Sequence, residues 1–157
     1  MREDFRLFSI GRIVNRQETC RIEVDEKYKD ALLGLEHFSH IDVFYWFHEN
    51  DNTTGRGILR VHPRGESANP LSGVFATRSP RRPNPIAVTR CRIESVSGNT
   101  IAIDAIDARD QSPLIDIKAH IPPRDEAANI RVPDWVAKNQ GARGTESQWF
   151  KDPRDRC

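Results

Sequence analysis

Apolar and polar residues along this chain alternate mostly with the period of two that a β-strand imposes. Arg12–Asn15 and Arg21–Val24 are short runs of this kind, the second with Ile22 and Val24 on one face. The intervening Asn15–Thr19 (NRQET) is polar and loop-like. Ile41–His48 (IDVFYWFH) is the strongest strand, so dense in β-branched and aromatic residues that both faces are expected to be covered. Gly57–His62 and Val74–Thr77 are further strand candidates, the first stopped by Pro63. Val88–Val96 sets Thr89, Cys91 and Ile93 opposite Arg90, Arg92 and Glu94. Ser97-Gly98-Asn99 reads as a hairpin turn, after which Thr100–Ile106 returns with Ile101, Ile103 and Ala105 on one face. Leu114–Ala119 is the last strand, ended by Pro122 and Pro123.

Helical spacing is clear once. In Glu26–Leu35, residues Tyr28, Ala31, Leu32 and Leu35 fall at i, i+3, i+4 and i+7, with Gly34 placed to cap the C-terminus. Pro133–Asn139 predicts a short second helix, with Pro133 at its first position and Gly141 beyond its end. Six to eight strands, one good helix and frequent turns predict a mainly β fold, an antiparallel sheet closed into a barrel or packed as a sandwich. Alternating βαβ units are missing, which argues against a doubly wound nucleotide fold. Gly55-Arg56-Gly57 has no third glycine in register and reads as turn chemistry within the polar stretch Glu49–Gly57.

At 157 residues the chain predicts one domain with a real core. No apolar run is long enough to span a bilayer. The N-terminal MREDFRLFSIG lacks the apolar stretch of a signal peptide. Net charge is +1, which gives no nucleic-acid signature, but arginine supplies 19 of the 24 basic residues. That bias suits bidentate anion contacts and equally suits a GC-rich genome. Cys20, Cys91 and Cys157 are odd in number and far apart, as expected for reduced thiols in a cytoplasmic protein. His37 and His40 have HxxH spacing without an acid or cysteine to complete a metal site, and read as structural or surface residues.

The chemistry concentrates in Gly73–Thr89, GVFATRSPRRPNPIAVT. Three prolines stiffen the backbone and remove its donors. Arg78, Arg81 and Arg82 repel one another unless an anion or a carboxylate sits among them. A preorganised pocket for a phosphate, carboxylate or nucleotide is one reading, and a rigid crossover loop with locally paired arginines is the other.

That segment, with Ile10-Gly11, LEHFSHIDVFYWFH (Leu35–His48) and DQSPLIDIKAHIP (Asp110–Pro122), resembles the tRNA N6-threonylcarbamoyladenosine methyltransferase family, also called TsaA-like. The likeness runs from about Phe8 to Pro122, which predicts a barrel domain over 8–122 and a C-terminal extension over 123–157. It implies a homodimeric β-barrel that binds S-adenosylmethionine and methylates N6 of a threonylcarbamoylated adenosine beside the tRNA anticodon. It also implies cofactor contacts from Asn15, Arg16, Gln17, His48, Glu49, Arg78, Val88, Asp110, Gln111, Ser112 and Pro113. Each has a plainer reading: His48 as the end of a strand, Asp110–Pro113 as a β-turn. Two positions depart from the family pattern. Ala87 stands where glycine is expected, and Ala119-His120 where proline and tyrosine are expected. His120 then takes the place of a substrate-stacking tyrosine.

Methyl transfer from a sulfonium is an in-line displacement, so the catalyst mainly aligns the nucleophile. An N6 amine is a poor nucleophile because its lone pair is delocalised into the ring. Asn84, framed by Pro83 and Pro85, is a candidate acceptor for the N6 proton, or else a turn residue bonded to backbone. Asp116 and Lys118, two apart on a strand, share a face. They are a candidate catalytic pair, or an ordinary solvent-face ion pair. Arg81 and Arg82 are candidates for phosphate or carboxylate contacts. Two other functions fit the same residues: the same barrel methylating another nucleoside or a small molecule, and a non-enzymatic module that binds a nucleotide or RNA.

Overall fold

The computed structural model describes residues 3–17, 19–121, 133 and 135. The helix expected at Pro133–Asn139 and the C-terminal extension lie essentially outside the described residues. By Cα proximity the described residues group into two units, 3–59 with 80–120, and 60–79 with those from 121 onward.

Period-two alternation builds the first unit. Its strands are β1 (Gly11–Arg16), β2 (Thr19–Val24), β3 (His40–Trp46), β6 (Ile86–Ser97), β7 (Thr100–Ile103) and β8 (Ser112–Ala119). They close into a barrel in the order β1-β2-β7-β6-β3-β8, every pairing antiparallel. Closure leaves no exposed sheet edge to template aggregation. Side chains from alternate positions fill the interior: Ile13, Ile22, Ile41, Val43, Tyr45, Ile101, Ile103 and Leu114 are all essentially inaccessible.

Several expectations are corrected. Asn15–Thr19 is not a loop: β1 runs through Arg16, β2 starts at Thr19, and the two pair as Arg16↔Thr19. β3 is covered fully on one face only. Ile41, Val43 and Tyr45 point inward, while Asp42, Phe44 and Trp46 are half-exposed on the other side. The large rings tolerate partial exposure, and the same face carries the Asp42–Arg90 ion pair at 3.0 Å. The helix expected over 26–35 is two 3-10 segments, Glu26–Leu32 and Leu35–His37. Leu33 and Gly34 form a turn in which Gly34 takes φ 86, a left-handed conformation that ends helical winding inside the apolar stripe. Only Leu32 of that stripe is fully buried.

The Glu49–Gly57 stretch is more ordered than a turn. A 3-10 segment, His48–Asn50, leads into the short helix α1 (Thr53–Gly57), capped by Asn52 Oδ1 accepting from Gly55 N–H at 2.8 Å. A Cβ on Gly55 would stand 2.3 Å from Asn50 O, so only glycine fits there.

In the second unit the expected strands shrink. β4 (Arg60–Val61) and β5 (Ser72–Gly73) form a two-residue ladder, and Val74–Ala76 is a 3-10 turn in place of a strand. Pro63 and Pro70 bound the available extended backbone. No helix among the described residues is long and apolar enough to cross a membrane.

Candidate active site at one end of the barrel

Antiparallel closure brings alternate strand ends together. The ends of β1, β3 and β7 meet the starts of β2, β6 and β8 at a single rim. Asn15, Arg16, Gln17, His48, Glu49, Asn84, Asp110, Gln111, Ser112 and Pro113 all lie on this rim or on the segments rising from it.

The segment linking β7 to β8 is laced to the end of β1. Asn15 Nδ2 donates to Ile106 O at 3.0 Å and to Ala108 O at 2.7 Å. Asn15 N–H donates to Asp110 Oδ1 at 3.1 Å, and Gln111 N–H to Ile13 O at 2.8 Å. Arg16 Nε reaches Asp110 Oδ2 at 3.2 Å, and Gln111 Nε2 reaches Asp110 Oδ1 at 3.3 Å. Desolvation pushes the Asp110 carboxyl up, but the bonds from Asn15, Arg16 and Gln111 prevail and hold it below the usual carboxylate range. Gln111 sits at φ 65, a left-handed strain of about 1 kcal/mol for a residue with a Cβ.

The segment after β3 joins the same cluster. Ser112 is 2 % exposed, and its Oγ lies 3.4 Å from His48 Nδ1, with the donor set by the imidazole tautomer. Glu49 Oε2 pairs with Arg109 Nε at 2.9 Å. Gln17 stands in the exposed turn of the β1–β2 hairpin. The polar set from Asn15 to Pro113 is thus brought together, much of it paired within itself.

Residues 80–89 of the arginine-proline segment adjoin this rim. Pro85 is buried, its carbonyl accepts from Phe47 N–H at 2.8 Å, and Ile86 N–H closes a three-residue turn onto Asn84 O, also at 2.8 Å. The Asn84 side chain is exposed and makes no hydrogen bond to another described residue. Arg81 and Arg82 are half-buried. Val88 is exposed on the outer barrel face in register with Phe44, and Ala87 points inward opposite Tyr45. Ala87 is 5 % exposed in ordinary strand conformation, so the departure from glycine falls in the core and not on a strained turn. Arg78 belongs to the other unit, where it is exposed and followed by a Ser79 N–H to Thr77 Oγ1 bond of 3.2 Å.

The remaining candidates run down β8 away from the rim. Asp116 and Lys118 pair with each other at 2.9 Å on the outer face, beside Phe44. His120 lies eight residues beyond Ser112, roughly 25 Å along an extended strand. Its Nδ1 stands 3.5 Å from Asp42 Oδ2. His37 pairs with Glu36 at 3.7 Å and His40 Nδ1 with Ser39 Oγ at 2.9 Å.

Two groups escape sequence reasoning. Tyr45 and Thr89 both donate to Asp107 Oδ1. Asp51 receives Arg56 Nε and Trp46 Nε1, while Arg56 Nη1 donates to Pro83 O at 3.0 Å. Neither has a sequence signal: the partners are 62, 18 and 27 residues apart, or five apart where no regular element pairs them.

Comparison with known proteins follows the same architecture. Residues 10–126 match the family model described as tRNA-methyltransferase O N-terminal domain. A Methanocaldococcus jannaschii protein described as a probable S-adenosyl-L-methionine-binding protein is 45% identical over 109 residues, covering 69% of this chain and 86% of its own. The human tRNA (adenine(37)-N6)-methyltransferase is 37% identical over 121 residues, covering 75% of this chain and 27% of its own. The crystal structure of TrmO from P. aeruginosa shares the fold, with TM-score 0.65 and 24% identity over 86% of this chain and 63% of that one. The chain therefore spans less than two thirds of that solved chain.

Proposed function

The chain belongs to the tRNA-methyltransferase O N-terminal domain family, and on that premise we propose that it is an S-adenosylmethionine-dependent methyltransferase. Its acceptor is N6 of the adenosine beside the tRNA anticodon, in the threonylcarbamoylated form. The observation that carries this reading is the convergence of Asn15–Gln17, His48–Glu49, Asn84 and Asp110–Pro113 on one barrel rim.

The rim suits the cofactor by the chemistry of its donors and acceptors. S-adenosylmethionine carries an ammonium, a sulfonium, a carboxylate and ribose hydroxyls. Glu49 and Asp110 offer carboxylates to the cationic and hydroxyl groups. Arg16 offers a guanidinium to the carboxylate. Gln111, His48 and Ser112 add neutral polar atoms, and Gln17, Pro113 and Val88 complete the proposed contacts. When bound, the cofactor supplies a methyl carbon on a sulfonium leaving group.

The chain's own residues supply alignment. The Asn84 carboxamide oxygen accepts a hydrogen bond from N6–H, which localises the amine lone pair as the new N–C bond forms. Arg81 and Arg82 hold phosphate or carboxylate groups of the substrate. The single N6 hydrogen, held by Asn84 until the N–C bond has formed, then leaves through solvent, with Asp116, paired to Lys118 at 2.9 Å, as its proposed acceptor. The reading includes a cytoplasmic location and a homodimer, the latter supported by exposed Ile86 and Val88 on the outer barrel face next to Phe44.

A second reading, the same chemistry on another nucleoside, is favoured by one observation. His120 is engaged near Asp42, far along β8 from the rim, where a stacking role on the same adenine is hard to place within one copy. Mass spectrometry of tRNA nucleosides from cells lacking the gene separates the two. Loss of one methylated threonylcarbamoyladenosine, restored by the gene, supports the first reading. Loss of a different methylated nucleoside supports the second, and no change overturns both.

A further inference from the structure

The Asp51–Arg56–Trp46 group stands outside the rim cluster, yet it touches the arginine-proline segment. Arg56 uses its guanidinium in three directions. Nε donates to Asp51 Oδ1, Nη1 donates to Pro83 O at 3.0 Å, and its Cζ sits 5.7 Å from the centre of the Trp46 ring. Asp51 Oδ2 accepts from Trp46 Nε1 at 2.9 Å, which closes the group on itself.

A last-turn arginine ordinarily serves its own helix by meeting the terminal carbonyls. Arg56 does not. Helix α1 has five residues, and the arginine donates instead to a carbonyl 27 residues away. That carbonyl belongs to the residue preceding Asn84. Pro83 and Pro85 have no N–H, so the segment is held through its carbonyls. Arg56 takes the carbonyl on one side of Asn84 and Phe47 N–H takes the one on the other, at Pro85. Both donors come from the stretch that carries His48 and Glu49. Gly55 lies against Asn50 O in the same stretch, so closely that a Cβ there would stand 2.3 Å from that oxygen.

We propose that Arg56, oriented by Asp51 and Trp46, is a positioning residue that fixes the Asn84 carboxamide relative to the rim segment bearing His48 and Glu49. The catalytic part of this inference rests on the methyltransferase reading above. The positioning part does not. A planar fork that makes two divergent bonds while its charge sits over an indole is not replaced by a lysine ammonium.

The test compares the full chain with Arg56→Lys, Arg56→Ala and Asp51→Asn, using two readouts. The first is hydrogen exchange at the Phe47 and Ile86 amides, which need no substrate. Arg56→Ala and Arg56→Lys are expected to speed both about tenfold or more while Ile13 and Ile101 stay protected. The second is methyl transfer with labelled S-adenosylmethionine. kcat is expected to fall about tenfold to a hundredfold with cofactor affinity within about twofold, and added ethylguanidinium is expected to restore part of it in Arg56→Ala. Unchanged Phe47 and Ile86 exchange overturns the positioning role. Faster exchange with unchanged kcat overturns its bearing on catalysis. Absence of methyl transfer by the unaltered protein overturns the functional reading, while the exchange result still decides whether Arg56 holds the segment. If Arg56→Ala does not fold, Arg56→Lys and Asp51→Asn carry both readouts.

Discussion

Tyr45 donates its phenolic hydrogen to Asp107 Oδ1 at 2.6 Å, tying a side chain inside the barrel to the segment that leads into the rim. Burial first, and the Asp107 charge second, push the Tyr45 hydroxyl well above its ordinary range, so it remains a donor at every physiological pH. Tyr45→Phe is expected to cost about 1–3 kcal/mol in urea unfolding, since the lost bond reaches a charged acceptor. Thr89→Val removes the second donor to the same oxygen. The double variant is expected to depart from additivity by more than about 0.5 kcal/mol. Full additivity would show that the two hydroxyls do not share a partner in solution.

Asn15 is the second tie on that segment. Its amide donates to two carbonyls, so a carboxylate there would face two acceptors with nothing to give. Asn15→Asp is therefore expected to be more harmful than Asn15→Ala, which should cost about 1–3 kcal/mol. Both should weaken S-adenosylmethionine binding measured by calorimetry. Equal stability of Asn15→Asp and the unaltered chain would remove Asn15 as the anchor.

Two glycines of α1, two residues apart, are expected to respond with opposite signs. An alanine Cβ at Gly55 would meet the Asn50 carbonyl at 2.3 Å, while one at Gly57 would meet nothing within 4 Å. Gly55→Ala should lower the thermal midpoint through an overpacking cost of about 1–3 kcal/mol. Gly57→Ala should raise it slightly, by about 0.4–1 kcal/mol of reduced unfolded-state freedom. A neutral Gly55→Ala would mean that the His48–Asn50 turn is not packed on α1 as described.

Acid should loosen the site. The hydrogen bonds of Arg56, then of Trp46, hold the Asp51 carboxyl below its ordinary range, and Asp110 is also depressed. For such groups the stabilisation is fully present above the unfolded value, about 3.9 for aspartate, and is lost as pH falls through the lower folded value. Exchange at the Phe47 and Ile86 amides, corrected for intrinsic rates, is expected to lose protection below about pH 4. Asp51→Asn should remove that step. A step centred above pH 5 would point to a different group.

The barrel was legible in sequence because its strands mostly alternate: Ile13, Ile22, Ile41, Val43, Cys91, Ile101 and Ile103 all face inward, as a period of two requires. The gathering of Asn15, His48 and Asp110 onto one rim followed from family likeness, not spacing, since nothing local links positions so far apart. The broken helix at Leu33-Gly34 was hidden because the apolar stripe continues through a left-handed glycine. Arg56 was read as turn chemistry because its partners, Asp51 and Pro83, lie at separations that no regular element uses. Ala87 looked like a change in the site until its inward direction placed it against Tyr45.

The central claim is methyl transfer aligned by Asn84. The most direct measurement incubates the purified chain and Asn84→Ala with labelled S-adenosylmethionine and threonylcarbamoylated tRNA, then identifies the labelled nucleoside by mass spectrometry. The unaltered chain is expected to place label on N6 of that adenosine alone. Asn84→Ala should bind cofactor equally well and transfer about a hundredfold more slowly. Equal transfer by both proteins, or no label in any adenosine, would contradict the account.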